Sequence, residues 1–230
     1  MMSGSRPTIR FDRISKWFGS QVLAVDDVSL DIAANEFFAL LGPSGCGKTT
    51  LLHAATGILP VAAGRCLLAG RDLATMGDAE RRAWRLRHVG MIFQEFALLE
   101  YLNAEENVLL PARLARLPRR PARRRARELA GRLGIDRLLR RRPGRLSQGE
   151  RQRVAICRAL VAEPRLLACD EPTGNLDPDR AAATIDLIHA RAREVGAAVF
   201  VVTHDHGLLP RFGRVLDLAP GRARPTEAAP

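Results

Sequence analysis

The side chains best suited to chemistry in this chain lie in one short loop. Residues 42–49 read Gly-Pro-Ser-Gly-Cys-Gly-Lys-Thr, a complete match to the phosphate-binding pattern G-x-x-x-x-G-K-[ST]. Glycines let the backbone turn tightly and direct successive N–H groups at one anion, and a helix that starts there adds a positive partial charge. In such a loop the lysine, here Lys48, pairs with the β- and γ-phosphates, and the hydroxyl of Thr49 binds Mg²⁺. The loop predicts that the chain binds a nucleoside triphosphate.

The flanking residues supply the strand and the helix that this loop needs. An apolar run at 37–41 precedes it, and residues 50–55 read as a helix. Only two of the 36 basic residues are lysines, Lys16 and Lys48, so a lysine at this loop position is rarely a coincidence. The residues expected to contact the nucleotide here are Gly42, Pro43, Ser44, Gly45, Cys46, Gly47, Lys48, Thr49 and Thr50.

A pair of carboxylates at the end of an apolar strand forms the second candidate site. Asp170 and Glu171 follow the run at 166–169. Beside a phosphate loop on a neighbouring strand, the first carboxylate can hold Mg²⁺ through a water, and the second can orient the attacking water and accept its proton. Two surface acids at a strand end are the alternative, which the nearby loop disfavours. We therefore predict Asp170 as a metal ligand and Glu171 as the catalytic base.

A third motif, Leu-Ser-Gln-Gly-Glu at 146–150, opens a helix. Ser147 with Glu150 three residues later fits a capping box, which is a purely structural explanation. The same geometry also offers a hydroxyl, the Gly149 N–H and a helix dipole to an anion. By itself the motif supports both interpretations.

The pattern of apolar residues places these motifs in an α/β fold. Short strands at 8–11, 22–25 and 28–32 are separated by polar breaks, as in an antiparallel edge sheet. Strands are also expected at 88–93, 166–169 and 197–202; the last two are unalternating and apolar, and a helical stretch at about 179–194 joins them. Such strands with helical crossovers indicate a buried parallel sheet. From about residue 103 the spacing turns helical, a helix is expected at about 148–162, and a disordered tail is expected from Ala219.

Together these segments resemble the ATP-binding subunits of ABC transporters. The matching residues occur in the family's order, and the resemblance covers about residues 6–218. It implies a P-loop NTPase (RecA-like) core with a parallel sheet, an N-terminal antiparallel β-subdomain and an inserted α-helical subdomain at about 95–160. It also implies ATP and Mg²⁺ as ligands. The matching segments are 42–49, Gln94, 146–150, 166–171, 175–177 and His204.

The resemblance assigns roles to residues that would mean little alone. Gln94 is expected to sense Mg²⁺ and to link the core to the helical subdomain, and His204 to contact the γ-phosphate. Phe18, followed by a glycine where the family usually has Tyr-Gly, is expected to stack on adenine, because stacking needs the ring and not the hydroxyl. Trp17 is the alternative. Asp177 is expected to contribute to the nucleotide site.

The same resemblance implies that the site is shared between two subunits. In the family the motif at 146–150, called the signature, contacts the nucleotide at the phosphate loop of the opposite subunit. Ser147 and Gly149 are therefore expected to contact a nucleotide bound by a partner, in a homodimer. One departure stands out: Gln148 occupies a position where the family commonly has glycine. We expect activity to be reduced or retuned rather than lost. An inactive site paired with an active partner is the alternative.

Two segments, at 149–156 and 170–177, resemble the sequences of one branch of this family. That branch contains the lipoprotein-release, macrolide-export and cell-division ATPases. This branch implies a separate membrane permease, ATP-driven extrusion and a peripheral position on the cytoplasmic face of the inner membrane. A non-transport ATPase that transmits force to a periplasmic partner is the second hypothesis. A soluble DNA-maintenance ATPase is the third.

Composition agrees with a cytosolic chain and locates its charge. No apolar run approaches the roughly 18 residues of a membrane helix, and the first 13 residues lack the apolar core of a secretory signal. The net charge is +11, yet residues 111–145 hold fourteen arginines and two acidic residues, so the remainder is close to neutral. A solvated face is one explanation of this segment. Contact with anionic lipid headgroups is the second. Nucleic-acid binding is the third and is disfavoured by the lack of aromatic residues.

The cysteines form no C-x-x-C pair. Cys157 and Cys169 lie in apolar sequence and are expected to be reduced core thiols. Cys46 lies inside the phosphate loop, near a helix N-terminus. Its alkylation is expected to block nucleotide binding, and ATP is expected to protect it.

Overall fold

The N-terminal part of the chain forms an antiparallel sheet. The computed structural model describes residues 7–18, 22–219 and 222–225. Two long strands replace the three short strands predicted from the sequence, because irregular register shifts let the chain stay paired through its polar breaks. A third strand pairs with the first, and a fourth, two-residue strand extends it. These strands are β1 (Ile9–Phe18), β2 (Val22–Ile32), β4 (Ala63–Leu68) and β5 (Arg71–Asp72), in the order β2-β1-β4-β5.

A six-stranded sheet forms the centre of the molecule. Its strands are β3 (Phe37–Leu41), β6 (Val89–Phe93), β7 (Leu166–Asp170), β8 (Ala198–Val202), β9 (Arg214–Ala219) and β10 (Arg222–Pro225), in the order β10-β9-β3-β8-β7-β6. All pairs are parallel except β10 with β9. The Asp170 strand is predicted to lie next to the phosphate-loop strand, but β8 lies between them. The disordered tail expected from Ala219 is wrong for residues 222–225, whose backbone pairs with β9; residues 226–230 lie outside the described residues.

Six α-helices accompany the sheets in the described part of the chain. The helical spacing from residue 103 and the helices near 148–162 and 179–194 are present, whereas the sequence analysis missed the polar helix at 78–88. The helices are α1 (Lys48–Ala55), α2 (Asp78–His88), α3 (Ala104–Leu114), α4 (Arg119–Arg132), α5 (Gln148–Leu160) and α6 (Pro178–Val195). Among the described residues, none of them is both long and apolar enough to cross a membrane.

Alternate residues of the central strands pack into two hydrophobic clusters on opposite faces of the sheet. Phe38 and Phe200 belong to the cluster under α1 and the antiparallel sheet. Val199 and Val201 belong to the cluster under α3, α4, α5 and α6. Because both faces are covered, β3 and β8 are apolar throughout, as expected for a buried parallel sheet. The α/β P-loop fold predicted from the sequence is confirmed.

Cys157 and Cys169 are fully buried free thiols in this core. Burial raises the pKa of Cys157 to about 12 and raises that of Cys169 as well, so both thiols stay protonated. These two cysteines are the reduced core residues expected from the sequence.

Candidate functional site

The phosphate loop connects the carboxyl end of β3 to the first turn of α1. Gly47 precedes the helix with φ at 102°, and a Cβ added there would lie 2.1 Å from the carbonyl oxygen of Ala24 in β2. Only glycine fits this contact. No side chain caps α1, so the N–H groups of its first turn point outwards without an intrahelical acceptor. These donors, with the helix dipole, suit the phosphates of a nucleotide.

Lys48 is held by the loop itself. Its side chain is buried, and its Nζ donates to the carbonyl oxygens of Gly42 at 2.7 Å and Pro43 at 2.8 Å. These bonds keep the ammonium group over the loop, where a phosphate can take up its remaining donor capacity. The residue types and geometry fit the triphosphate predicted from the sequence.

Cys46 faces away from the open side of the loop. Its side chain is 7% exposed and belongs to the hydrophobic cluster under α1. A Cβ on Gly42 would lie 2.8 Å from its sulfur, so the thiol fills the space behind the loop. We expect reagents to reach it slowly, and its protection by ATP stays a prediction.

Three neighbouring strands deliver the other predicted residues to the same edge of the sheet. β8 is followed by His204, β7 ends in Asp170 and β6 is followed by Gln94. Because these strands are parallel to β3, their carboxyl ends lie beside the phosphate loop. The order along this edge is the phosphate loop, His204, Asp170 with Glu171, and Gln94.

Thr49 and Asp170 form the candidate magnesium site. The Thr49 Oγ1 donates to Asp170 Oδ1 at 3.2 Å, although 120 residues of sequence separate them. Burial raises the pKa of Asp170, while the Thr49 hydroxyl opposes that shift. Two hard oxygen donors side by side, one of them a half-buried carboxylate, match the ligands that Mg²⁺ prefers.

Glu171 and His204 lie in direct contact. The His204 Nδ1 is 3.2 Å from Glu171 Oε1, and His204 is exposed. Glu171 has φ at 45°, an uncommon conformation for a residue with a side chain. Its N–H donates to the carbonyl oxygen of Val202 at 3.0 Å, which ties it to the end of β8. The strand ends therefore fix the direction in which this carboxylate points.

Gln94 reaches the segment that follows Glu171. A Cβ on Gly174 would lie 2.8 Å from Gln94 Nε2, so a side chain there would displace the amide. Gly174 N–H donates to the Glu171 carbonyl oxygen at 3.2 Å. Gln94 thus lies against the loop that follows the predicted base, while its expected role in sensing Mg²⁺ stays a prediction.

The signature residues form the start of α5, where Ser147 and Gly149 are exposed. Ser147 accepts from Glu150 N–H at 3.3 Å, and Glu150 Oε2 accepts from Ser147 N–H at 2.7 Å, which completes the capping box. The bond from the Ser147 backbone lowers the pKa of Glu150. Between described residues, no hydrogen bond joins the signature to the phosphate loop of the same chain. The hydrogen bonds of the signature therefore do not link Ser147 to the nucleotide site of its own chain.

The predicted adenine contact and Asp177 have different surroundings. Phe18 and Trp17 are 45% and 42% exposed at the end of β1, in the hairpin whose second strand packs on Gly47. Phe18 stays our prediction for the stacking ring, with Trp17 as its alternative. Asp177 caps α6, because its Oδ1 accepts from Arg180 N–H at 3.0 Å. Its contribution to the nucleotide site stays a prediction.

Two residues beneath the site were missed by sequence reasoning. Gln152 and Arg158, both buried in α5, donate to backbone carbonyl oxygens of loops around the site. Arg158 binds the carbonyl oxygens of Phe96 at 2.6 Å and Ala97 at 2.5 Å, and burial lowers its pKa. The sequence offered one signal, which was a polar residue at a position of α5 that the helical spacing predicts to be buried. The partners of these side chains are backbone atoms, which no sequence motif identifies.

Comparisons with known proteins identify the family. Residues 25–174 match the sequence profile of the family described as ABC transporter. The chain is 42% identical over 216 residues to the lipoprotein-releasing system ATP-binding protein LolD of Paramagnetospirillum magneticum, covering 93% of this chain and 96% of the relative. LolD of Chromohalobacter salexigens is 42% identical over 210 residues, covering 91% and 89%. The chain belongs to the ABC transporter family, as one of its ATP-binding, ATP-hydrolysing subunits.

A solved structure supports the same conclusion. The dimeric post-hydrolysis state of the ATP-binding cassette MJ0796, bound to ADP and phosphate, superposes with a TM-score of 0.84 at 30% identity. The match covers 95% of this chain and 97% of that one. The resemblance inferred from the motifs is therefore confirmed over nearly the whole chain.

Proposed function

We propose that this chain is the ATPase of a lipoprotein-releasing transporter and drives a separate permease from the cytoplasmic face of the membrane. The observation that carries the proposal is the end-to-end similarity to two relatives named for lipoprotein release, at 42% identity. The edge of the central sheet, where phosphate loop, carboxylates and histidine converge, provides the chemistry for ATP hydrolysis.

The residues at this edge divide the tasks of the proposed reaction among them. Lys48 and the N–H groups of α1 hold the β- and γ-phosphates. Thr49 and Asp170 hold Mg²⁺, which when bound neutralises charge on the phosphates. Glu171 orients a water and accepts its proton, and His204 both contacts the γ-phosphate and fixes Glu171 through their 3.2 Å contact. Gln94 reports the state of this site to the helical part of the chain.

The proposed unit is a homodimer in which each signature completes the site of the other subunit. The surroundings of Gly149 support this arrangement. Among the described residues outside the backbone of α5 itself, a Cβ there would meet no atom within 4 Å, so the packing seen in this part of the chain does not require glycine. A close approach by a partner's nucleotide would require it.

We place the permease contact at an apolar groove near Gln94. The groove, of about 220 Å³, lies between α2, β6, α3 and α5, and its walls include Leu110, Leu114 and Arg158. Arg85 also lines it, so an amphipathic permease helix with an acidic edge fits its apolar floor and basic rim. Leu114 is 58% exposed at this groove. The substitution Leu114→Glu is expected to release the permease, whereas Ile58→Glu, at an equally apolar exposed position elsewhere, is not.

The basic segment at 111–145 is proposed to contact anionic lipid headgroups. Thirteen of its fourteen arginines are exposed, and within the described residues only Arg124, Arg125 and Arg132 make ion pairs. Like charges three or four residues apart on α4 repel one another, so the exposed arginines of this helix lower its stability. Each basic residue near an anionic bilayer contributes about 1 kcal/mol of binding.

Vesicle flotation tests the lipid contact. Vesicles with anionic lipid are expected to carry the parent chain, and the triple substitution of Arg119, Arg120 and Arg123 by glutamine is expected to weaken this binding. A triple substitution of Arg13, Arg65 and Arg82 removes the same charge elsewhere and serves as the control. An equal loss of vesicle binding in both variants would show that binding depends on the net charge of the chain and not on the segment at 111–145.

Affinity isolation from detergent-solubilised membranes tests the proposed function. An integral-membrane permease is expected to co-purify, and the reconstituted complex is expected to release a lipid-anchored protein from vesicles when ATP is added. Co-purification with a force-transducing membrane protein and no release would indicate the cell-division type. A soluble, DNA-bound preparation would contradict transport altogether.

A further inference from the structure

The predicted base is held in a backbone conformation that needs support. Glu171 has φ at 45°, and such a conformation in a residue with a side chain costs free energy unless its surroundings enforce it. One support is the bond from its N–H to Val202. The next residue, Pro172, has no N–H, so only its carbonyl oxygen can anchor the chain at this point.

That carbonyl oxygen is bound by Gln152 of α5. The Gln152 Nε2 donates to Pro172 O at 3.1 Å, and Thr184 Oγ1 of α6 donates to Gln152 Oε1 at 3.2 Å. Gln152 and Thr184 are only 6% and 7% exposed. The hydroxyl proton occupies the amide oxygen, so the amide NH₂ must face Pro172. The orientation of Gln152 is thereby set from α6.

A second glutamine extends the same contact. Gln148 lies one helical turn before Gln152, on the same face of α5. Its Nε2 donates to the carbonyl oxygen of Asn175 at 3.3 Å. Two side-chain amides of one helix therefore bind the backbone of residues 172–175 at both ends. The family commonly has glycine at the position of Gln148, so the outer contact is a feature of this chain.

We propose that Gln152, supported by Gln148, is a positioning residue that couples the signature helix to the base Glu171. The inference rests on the proposed function, in which the signature at the start of α5 contacts the partner's nucleotide. Movement of α5 on nucleotide contact is then transmitted through Gln152 to Pro172, one residue from the base. Each subunit thereby adjusts its own base according to the ATP bound by the other.

The substitution Thr184→Val tests the coupling with little change of shape. It removes the hydroxyl that orients Gln152, whereas Thr184→Ser keeps it and serves as the matched control. We expect Thr184→Val and Gln152→Met to lower kcat for ATP hydrolysis about three- to ten-fold, the effect of losing one or two buried hydrogen bonds. Thr184→Ser is expected to retain the parental kcat. The dissociation constant for ATP is expected to stay within about two-fold of the parent, since no ATP contact is lost.

The half-buried residue Gln148 gives a second, milder test. Gln148→Gly restores the residue common in the family and removes the outer bond, and we expect kcat to fall about two-fold at unchanged ATP affinity. A rise in kcat would overturn the outer contact and would mean instead that Gln148 reduces activity, as the comparison of motifs suggests. A thermal unfolding midpoint measured for every variant separates lost stability from lost turnover.

The results distinguish the coupling from the proposed function. Parental kcat in Thr184→Val, Gln152→Met and Gln148→Gly would overturn the coupling. A fall in ATP affinity equal to the fall in kcat would also overturn it, because the residues would then support the binding site as a whole. Glu171→Gln is measured in parallel: parental turnover in that variant would refute Glu171 as the base, whatever the amides do.

Discussion

Glu171 and Gly47 illustrate two ways in which single residues build this site. Glu171 must carry a carboxylate in a backbone conformation that favours glycine, and neighbouring strand ends hold it there. Gly47 must lack a side chain, because the phosphate loop packs directly on the backbone of Ala24. The chemistry depends on the first position and the shape of the loop depends on the second.

Replacement of the base carboxylate by an amide tests the chemistry. Glu171→Gln keeps the size and removes the proton acceptor, so we expect kcat to fall about 100-fold or more, in the range of lost general-base catalysis. ATP binding is expected to persist, because Lys48 and the α1 N–H groups are unchanged. Phosphate release and nucleotide binding measure the two properties separately. Turnover at the parental rate would rule out Glu171 as the base.

A single methyl group tests the loop. In Gly47→Ala the new Cβ would clash with the Ala24 carbonyl oxygen, 2.1 Å away, and φ at 102° is strained for alanine. We expect a lower unfolding temperature and loss of ATP binding. Gly131→Ala, in α4, is the control, because a Cβ there would meet no described residue beyond the helix's own backbone within 4 Å. It is expected to stabilise the helix by about 0.5–1 kcal/mol. Normal ATP binding by Gly47→Ala would mean that the loop is not held by this contact.

The residues found from sequence and those missed differ in the kind of partner they have. Lys48, Asp170 and Glu171 belong to motifs whose spacing is fixed by phosphate and metal chemistry, so their types and positions predict them. Gln152 and Arg158 bind backbone carbonyl oxygens, which are present at every residue and leave no trace in sequence. Only the three-dimensional arrangement reveals these two contacts.

At the scale of elements, α5 connects the parts of the molecule that must act together. Its first turn presents Ser147, its middle binds the backbone after Glu171 through Gln152, and its end binds the loop after Gln94 through Arg158. One helix therefore carries the signature at its start and contacts both the loop after Glu171 and the loop beside the proposed permease groove. A helix with three such contacts can transmit a displacement between them.

The other long helix, α6, contains a buried histidine that predicts how stability depends on pH. His189 stacks on Phe37 at a ring distance of 4.2 Å and lies edge-on to Phe212. Burial, reinforced by the charge of Arg193, lowers the pKa of His189 from its usual 6.5 to about 4. The folded state therefore favours the neutral ring, and protonation favours the unfolded state.

The contribution of His189 to stability is complete above about pH 6.5 and declines as the pH falls towards 4. The loss amounts to about 2–3 kcal/mol at the acid end. His189→Phe keeps an aromatic ring and removes the titration, so its advantage over the parent should grow as the pH falls. Urea unfolding at pH 8, 6 and 4.5 measures this difference. A constant difference across the range would show that His189 is not buried as a neutral ring.

The strands predicted from the sequence agree with the structure where both faces of the strand are buried. They disagree where strand pairing is irregular or long-range. The apolar runs of β3, β7 and β8 predict their strands because both faces of the sheet are covered. The polar helix α2 has no fully buried residue, so its pattern gave no signal. The placement of β8 between β3 and β7 depends on long-range pairing that local sequence does not specify.

At the scale of the whole molecule, the site described in one chain is half of the proposed site. The phosphate loop, Asp170 and Glu171 meet at one edge of the sheet, whereas the signature binds none of them through a hydrogen bond within the described residues. The similarity to a dimeric cassette supports two such chains facing each other. ATP then serves as both the substrate and the contact between subunits.

Light scattering on Glu171→Gln with and without ATP tests the shared site most directly. Because hydrolysis is blocked, ATP is expected to trap the dimer, and the measured mass should double when ATP is added. Adding Gly149→Asp to this variant should leave ATP binding intact and prevent the doubling, since a carboxylate would repel the partner's phosphates. A chain that remains monomeric with ATP bound, while the parent hydrolyses ATP at a rate per chain independent of protein concentration, would contradict the shared site.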